Sequence, residues 1–404
     1  MYDAIVVGAR CAGSPTAMLL ARKGYRVLLV DRATFPSDTI STHIIWQQGT
    51  ARLKHWGLLD RVAESNCPPI RKLTLDVGEF ALAGTLPPVD GVAEAYAPRR
   101  TVLDKILLDA AAAAGAEVRE GFAVTDVVMD GDRVTGIRGR SDRGANVADE
   151  ARLVVGADGR HSIVARAIKA PEYDAKPTLA CWYYTYWSGI RVDGIEMHDL
   201  GGRAAGLIPT NGDLVCIPVV VAYEHFHEFR ADVEGSYLQT IDLSPSLAER
   251  IRAGRREEPF RAMSDVPNFF RKPYGPGWTL VGDAGYHKDP VTAQGISDAF
   301  RDAEALTDAI DAGLGGRRPL EEALAEYEQR RNEAAIPMYE YTCELAALAP
   351  PPPEMQALFA ALRGNQDDTN CFLGTIAGTV PILEFFAPSN LERIMAGAHT
   401  AASA

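Results

Sequence analysis

Glycines and acidic residues at the ends of apolar runs are the groups in this chain that could bind a phosphate or a sugar. In the sequence GARCAG, Gly8 permits a tight turn after the run Ala4–Val7, and Gly13 permits close packing of a following helix. The free N–H groups at that helix N-terminus favour a pyrophosphate. Asp31 ends the next apolar run, where a carboxylate accepts hydrogen bonds from a ribose hydroxyl. The pattern predicts a dinucleotide site; its alternative is a plain strand–helix–strand unit with a glycine turn.

Arg10 occupies the position at which such a loop normally has its middle glycine. Because a guanidinium can pair with phosphate oxygens, two interpretations stay open. In the first interpretation, Arg10 contacts a phosphate or the adenine; in the second, its side chain points to solvent. Ala12 in the loop and Arg32 directly after Asp31 belong to the same candidate cofactor site.

Two further units of the same kind supply strands that can bring such residues together. Arg152–Arg166 contains an apolar run that ends near Asp158. Gly277–Leu306 contains a run that ends in Gly282 and Asp283, and an amphipathic helix follows it. We expect Asp283 to accept hydrogen bonds from a polyol chain, whereas helix capping is the alternative role for Asp158.

Three such units in this order resemble the flavoprotein monooxygenase superfamily with the para-hydroxybenzoate hydroxylase fold, related to flavin halogenases and geranylgeranyl-type reductases. The resemblance covers residues 4 to about 310. It implies FAD as the cofactor, with its ADP half at the first loop. It also implies that Asp158 lies where relatives contact FAD and a pyridine nucleotide, and that Gly282 and Asp283 lie at the ribityl chain.

The same resemblance implies roles for two basic residues. Arg100 begins the R-x-x-L-D pattern of PRRTVLDKILLDAAAAAG and matches an arginine near FAD; a structural helix-start arginine is the alternative. His43 matches a basic residue that contacts the cofactor after the second strand; a packed histidine is the alternative.

The loop YHKDPVTAQG is where the resemblance places the reactive part of the flavin. Pro290 matches a proline beside the reactive edge of the ring, and Gly295 matches a glycine at its pyrimidine end. His287 could move a proton to or from a substrate hydroxyl, because an imidazole titrates in the required range. A surface histidine without a catalytic role is the alternative.

The units and the resemblance together imply an α/β fold: a Rossmann-like FAD-binding domain, an inserted antiparallel-sheet domain and a helical C-terminal region. The FAD-binding domain is expected to take residues 1–75, 98–175 and 270–330, and the sheet domain 76–97 and 176–269. Residues 331–404 are expected to form a helical cap over the pocket, with a disordered end at 400–404. In the inserted sheet, strand alternation puts three aromatic residues on one face: Trp182, Tyr184 and Tyr186. They are expected to line the substrate pocket; packing within the sheet is the alternative.

Composition narrows the cellular setting. The 404 residues carry a net charge of −13, which argues against nucleic-acid binding. Six cysteines lie far apart without metal-ligand spacing, so reduced thiols in a cytoplasmic protein and no metal site are expected. No apolar run is long enough for a membrane span, and Asp3 stands where a signal peptide would be basic.

Four functions remain open at this point. The first is a monooxygenase that hydroxylates or epoxidises a small apolar or aromatic substrate through a flavin C4a-hydroperoxide, with NADPH or NADH bound transiently or a separate flavin reductase as partner. The second is a flavin-dependent double-bond reductase of the geranylgeranyl type. The third is a halogenase, which needs a relay lysine and a W-x-W-x-I-P block that CWYYTYW does not match. The fourth is an FAD-holding scaffold without activity.

Overall fold

The computed structural model of the protein describes residues 1–142 and 144–401. Its strands, in chain order, are β1 (Tyr2–Val7), β2 (Val27–Val30), β3 (Lys72–Asp76), β4 (Ala81–Thr85), β5 (Glu117–Arg119), β6 (Phe122–Asp130), β7 (Arg133–Ser141), β8 (Asn146–Gly156), β9 (Glu172–Lys176), β10 (Ala180–Ser188), β11 (Ile195–Asp199), β12 (Arg203–Thr210), β13 (Leu214–Ala222), β14 (Arg255–Arg256), β15 (Arg261–Met263), β16 (Asn268–Arg271), β17 (Tyr274–Gly275), β18 (Trp278–Leu280) and β19 (Tyr286–His287). Its α-helices are α1 (Gly13–Arg22), α2 (Gln47–His55), α3 (Leu59–Ala63), α4 (Arg100–Ala113), α5 (Ile163–Ala167), α6 (Phe226–Ala231), α7 (Val233–Ile241), α8 (Pro245–Ala253), α9 (Gly295–Leu314), α10 (Leu320–Ala346), α11 (Pro353–Leu362), α12 (Gln366–Ala377), α13 (Ile382–Phe385) and α14 (Pro388–Ala401).

The first sheet aligns the strands that precede the three sequence clusters. Its order is β17-β18-β8-β1-β2-β5, and β1 pairs in parallel with β2 on one side and β8 on the other. β18 is parallel to β8, while β7 pairs antiparallel with β8 and with β6. Because parallel strands end at one edge, Gly8, Asp31, Asp158 and Asp283 come together there, which confirms the predicted Rossmann-like sheet.

Helices α1, α4 and α9 cover one face of this sheet. Their apolar stripes meet in one core, in which Leu20 of α1, Leu103 of α4 and Phe300 of α9 are fully buried. The close approach of α1 depends on Gly13, since a Cβ there would lie 1.8 Å from the Gly8 carbonyl oxygen. The packing therefore fixes where α1 and α9 begin relative to the strand ends.

The second sheet is antiparallel apart from one pair of strands. Its order is β14-β10-β13-β12-β11-β3-β4, in which β3 and β11 are parallel. β12 and β13 are joined by a tight turn at Asn211–Asp213, where Gly212 has φ +73°, as the Asn-Gly hairpin signal predicts. β3 begins at Lys72, so the second sheet takes residues 72–75 from the range expected for the FAD-binding domain.

The C-terminal helices pack on one face of the second sheet. Leu358 of α11, Phe372 of α12 and Phe385 of α13 share a core with Leu73 and Leu82 of β3 and β4. Helix α14 continues to Ala401, and residues 402–404 of the segment expected to be disordered lie outside the described residues. Within the described ranges, no helix is both long and apolar enough to span a bilayer.

Candidate cofactor and substrate cavities

A cavity of about 960 Å³ runs along the carboxyl edge of the first sheet. Its wall includes most of the residues that the sequence assigns to a cofactor or to catalysis: Gly8, Arg10, Ala12, Asp31, Arg32, Arg100, Asp158, Gly282, Asp283, His287, Pro290 and Gly295. Gly13 lies behind this wall, where it lets α1 approach the loop. We call this space the cofactor cavity.

Gly8 and Gly295 contribute to the wall of the cofactor cavity in different ways. Gly8 has φ +102°, and a Cβ there would lie 2.4 Å from the Ala157 carbonyl oxygen, so the turn after β1 requires glycine. Gly295 begins α9, and a Cβ there would meet no atom within 4 Å. The first N–H groups of a helix have no intrahelical acceptor, so the open start of α9 presents donors to a ligand.

Asp31 holds the phosphate loop in place. Its Oδ2 accepts a hydrogen bond from the Ala9 N–H at 2.7 Å, and its Oδ1 accepts from the Ala33 N–H at 2.8 Å. Each carboxylate oxygen has a second lone pair, so these bonds leave capacity for a ribose hydroxyl in the adjoining cavity. The predicted ribose contact stays a prediction.

Arg10 and Arg100 meet on a buried carboxylate to which the sequence analysis assigned no role. Asp104, fully buried on α4, accepts from Arg10 Nη1 at 2.6 Å and from Arg100 Nε and Nη2 at 3.0 and 2.9 Å. Arg10 also donates to the Ser37 carbonyl and hydroxyl, so its side chain is tied to the protein and does not extend freely into solvent. Two guanidiniums and one carboxylate leave a net positive charge, which suits a pyrophosphate. The i, i+4 spacing of Arg100 and Asp104 could have indicated the pair.

Asp158 and Asp283 end neighbouring strands but differ in their partners. Asp158 Oδ1 accepts from the Ser162 hydroxyl at 2.5 Å, and Oδ2 accepts from the Ile163 N–H at 2.6 Å, so this carboxylate organises the start of α5. Burial raises the pKa of Asp158. The Asp283 side chain is exposed to the cavity and makes no hydrogen bond or ion pair within the described part of the chain.

His287 is buried in the wall of the cofactor cavity, contrary to the surface position that the sequence left open. Its Nδ1–H donates to the Pro267 carbonyl at 2.5 Å, because a carbonyl can only accept. Nε2 is therefore the acceptor of the neutral ring. Burial lowers the pKa of His287, although Asp283 opposes that effect, so the ring stays neutral at pH 7.

Asp289, beside Pro290, is a buried acid to which the sequence analysis assigned no role. It is 1% exposed. Its Oδ1 accepts from the Trp182 Nε1–H at 3.2 Å and from the Val291 N–H at 3.0 Å. Burial raises the pKa of Asp289 to about 7. These contacts join the loop that bears Pro290 to β10 of the second sheet.

His43, Tyr184 and Tyr186 lie outside the walls of both cavities described here. His43 is fully buried, with its Nε2 2.6 Å from the Tyr186 hydroxyl, and burial followed by the charge of Arg100 lowers its pKa. The Tyr184 hydroxyl accepts from the Ser41 N–H at 3.3 Å. These three side chains pack between β10 and the segment that lines the cofactor cavity.

A second cavity of about 590 Å³ lies between the second sheet and the C-terminal helices. We call it the apolar chamber. Trp182 of β10 lines it, as the sequence predicts for a substrate wall, together with Met355 and Phe359 of α11. Four residues border both the chamber and the cofactor cavity: Thr42, Ile44, Pro290 and Ala293.

The cofactor cavity has the features that a flavin dinucleotide requires. Its wall contains a glycine turn, two guanidiniums that share one carboxylate, a strand-end carboxylate without a hydrogen bond in the described residues, and the open N-terminus of α9. Such a sheet and cavity define a flavin-dependent oxidoreductase. A family described as an FAD binding domain matches residues 1–341, and the chain belongs to this family. The prediction of FAD as the cofactor is thereby confirmed.

Known proteins similar to this chain include different flavoenzymes. It is 25% identical over 355 residues to a tryptophan 2-halogenase of Chondromyces crocatus, covering 80% of this chain and 64% of that enzyme, just under two thirds of its length. It is 26% identical over 349 residues to a digeranylgeranylglycerophospholipid reductase of Methanosarcina mazei, covering 81% of this chain and 80% of the reductase.

Among solved structures, PqsL of Pseudomonas aeruginosa, described as a probable FAD-dependent monooxygenase, has a TM-score of 0.71 at 22% identity. The alignment covers 92% of this chain and 98% of PqsL. At that identity the likeness shows the fold alone.

Within the residues that the structure describes, no cluster of three His, Cys, Asp or Glu side chains could hold a metal ion.

Proposed function

We propose that this protein is an FAD-dependent monooxygenase that hydroxylates or epoxidises a small, mainly apolar or aromatic substrate held in the apolar chamber. One observation carries the proposal: the wall shared by the two cavities contains Thr42, Ile44, Pro290 and Ala293 and no acid, imidazole or lysine side chain. Oxygen transfer from a flavin needs a passage from which water is excluded, and a passage at this wall would be lined mainly by apolar side chains.

The chain's own residues would bind and orient the cofactor. Gly8 and Gly13 bring the start of α1 to the ADP half, Arg10 and Arg100 offset the charge of the pyrophosphate, and Asp283 accepts hydrogen bonds from the ribityl chain. Bound FAD supplies the activation of O₂ after reduction. His287, neutral and fixed through Nδ1, offers Nε2 as a proton acceptor in the cofactor cavity.

The electron donor is proposed to be NADPH or NADH bound transiently, or a reduced flavin from a partner reductase. The sequence contains one dinucleotide loop of the GARCAG type, which is committed to FAD, so a pyridine nucleotide would have no nucleotide-binding domain of its own. Measuring the rate of FAD reduction with NADPH, with NADH and with an added flavin reductase distinguishes these donors.

A flavin-dependent double-bond reductase is the second candidate. The likeness to the Methanosarcina reductase favours it. Reduction of an alkene requires a proton for the second carbon, and the shared wall offers only the Thr42 hydroxyl and backbone groups for that purpose. The wall therefore supports oxygen transfer over saturation.

Halogenation is the third outcome to test, because a halogenase is among the similar proteins. Within the described residues, no lysine lines the apolar chamber. Lys288 lines the cofactor cavity, and its ammonium is paired with Asp298 on α9. A relay lysine between flavin and substrate therefore has no counterpart in the chamber.

One experiment distinguishes the three reactions. The FAD-loaded protein is reduced and mixed with a panel of aromatic and polyene molecules under ¹⁸O₂, with and without bromide, and in parallel without O₂. We expect products that carry one ¹⁸O atom and no product in the anaerobic arm. Anaerobic saturation of an alkene would replace the proposal with the reductase, and bromide-dependent products would replace it with the halogenase.

A further inference from the structure

Four polar residues of the second sheet border the apolar chamber, and all but Asp199 direct their side chains to the opposite face: Glu196, His198, Asp199 and Arg203. Ile195 and Met197 of β11 pack in the core shared with the C-terminal helices. Glu196, between them, accepts from both terminal nitrogens of Arg250 on α8, at 2.6 and 2.8 Å. Since successive side chains of a strand point to opposite faces, Glu196 and His198 lie on the α8 side. Asp199, at the end of β11, shares the face of Met197 and accepts from the Gly201 N–H at 2.9 Å.

The helix side of the chamber differs, because α10 brings free polar groups to it. Tyr341, Glu344 and Leu345 share one face of α10 through their i, i+3 and i, i+4 spacing, and all three line the chamber. In the part of the chain that the structure describes, the Tyr341 hydroxyl and the Glu344 carboxylate have no hydrogen-bond or ion-pair partner. Burial and then the charge of Glu344 raise the pKa of Tyr341, so its phenol stays protonated.

Within the described residues, no lysine or arginine side chain is directed into the chamber. No lysine lines it, and Arg203, which does, shares a face of β12 with Ala205 and Leu207, which pack toward α7 and α8. The Arg203 guanidinium donates to the Thr240 hydroxyl of α7 at 2.9 Å. The Trp182 indole N–H is already bound to Asp289. A carboxylate and a phenol on one helical turn are therefore the free polar groups that α10 offers to a ligand among apolar walls.

We infer that the apolar chamber selects a ring-shaped apolar substrate that carries a protonated amine or other hydrogen-bond donor, which Tyr341 and Glu344 bind. This inference rests on the proposed function, because it names the substrate class of the same chamber. Glu344 is exposed and borders the chamber, so its carboxylate attracts a cation and repels an anion by a modest amount. Glu344 thereby sets charge preference, and Tyr341 adds a hydrogen bond that does not depend on the ligand's charge.

Three probes with the same two-ring body test the inference: 2-naphthylmethylamine, 2-naphthalenemethanol and 2-naphthoic acid. Their dissociation constants are measured by calorimetry on the FAD-loaded protein, so turnover is not needed. We expect the amine to bind about tenfold more tightly than the acid, with the alcohol between them.

Two conservative substitutions on α10 should separate the two contributions. Glu344→Gln should reduce the preference for amine over acid to less than about threefold, and Tyr341→Phe should weaken amine and alcohol binding alike by about fivefold. Glu354→Gln is the matched control, because Glu354 is exposed on α11 and is not part of the chamber wall; it should leave the order unchanged.

A variant that blocks the chamber separates the amine preference from the use of the chamber as the substrate site. Met197→Trp fills the chamber and should abolish binding of all three probes. If no probe binds, or if Met197→Trp leaves binding intact, the chamber is not the substrate site and both proposals fall. If all three bind in the chamber with equal affinity, or Glu344→Gln leaves the preference unchanged, only the inference about the amine is overturned.

Discussion

The cofactor cavity and the apolar chamber are built by opposite means. The cofactor cavity uses backbone turns and charged groups that follow directly on strands of one sheet, such as Gly8 after β1 and Asp283 after β18. The chamber uses side chains of strands and helices distant in sequence, such as Trp182 of β10 and Phe359 of α11. A site made from strand ends tolerates little change in geometry, whereas a site made from packed side chains can change its ligand by substitution.

The strongest test of the cofactor cavity changes the glycine that allows α1 to approach the loop. Gly13→Ala would place a Cβ 1.8 Å from the Gly8 carbonyl oxygen, so the loop must move. We expect FAD affinity to fall by more than about a hundredfold, or the protein not to fold. Flavin absorbance after gel filtration and a thermal melt measure both effects.

Gly364→Ala is the matched control for that substitution. Gly364 lies between α11 and α12, and a Cβ there would come no closer than 3.9 Å to another atom. This variant should retain FAD and the melting temperature of the parent protein. Normal FAD binding by Gly13→Ala would show that the loop does not need the observed approach.

The next test separates two acids that end neighbouring strands. Asp283→Ala removes a carboxylate that makes no hydrogen bond or ion pair within the described residues. We therefore expect a loss of about 10- to 100-fold in FAD affinity with little change in the stability of the apoprotein. Asp158→Ala removes the acceptor for Ser162 and the Ile163 N–H, so we expect the apoprotein to lose about 1 to 2 kcal/mol of stability. Titration with FAD and apoprotein melts check both values, and interchanged effects would reverse the roles of the two acids.

A smaller effect is expected at the passage between the two cavities. Thr42→Trp places a large ring in the shared wall, so oxidation of the electron donor should continue while product per donor consumed falls at least about tenfold. The ratio of product to hydrogen peroxide measures this uncoupling. Thr42→Val, which keeps the shape and removes the hydroxyl, should stay within about twofold of the parent. Equal loss in both variants would assign the effect to the hydroxyl instead of the passage.

Most of the cofactor cavity could be predicted from the sequence, because its residues directly follow strands. The Rossmann-like sheet, the inserted antiparallel sheet and FAD were predictable because Gly8, Gly13 and Asp283 stand at fixed places beside their own strands. Asp104 ends the R-x-x-L-D pattern, but its contact with Arg10 was not predictable because the two residues are 94 positions apart.

The chamber was predictable only in part. Trp182 lines it, but Tyr184 and Tyr186, on the same face of β10, lie beyond its limits and pack against the segment that contains His43. Alternation along a strand reveals which face a side chain takes, and it does not reveal where a cavity on that face ends. Tyr341 and Glu344 were missed because α10 crosses the chamber at a position that only tertiary packing determines.

The last test concerns the pH dependence of stability, and it tests how the two sites are joined at Asp289. Burial moves the pKa of Asp289 from 3.8 to about 7, so the folded protein keeps a proton that the unfolded chain releases above pH 4. An acid with a raised pKa contributes stability that declines as pH increases from about 4 to about 7. The decline is at most about 4 kcal/mol.

Asp289→Asn cannot titrate, and its amide oxygen can still accept from the Val291 N–H. We therefore expect the melting temperature of the FAD-loaded parent to fall relative to that of Asp289→Asn between pH 5 and pH 8, with the difference largest at pH 8. Asp132→Asn, at an exposed position between β6 and β7, controls for removal of an aspartate. Parallel pH curves for the parent and Asp289→Asn would show that Asp289 is ionised throughout this range, and that its bond to Trp182 joins the two sites as a fixed ionic contact.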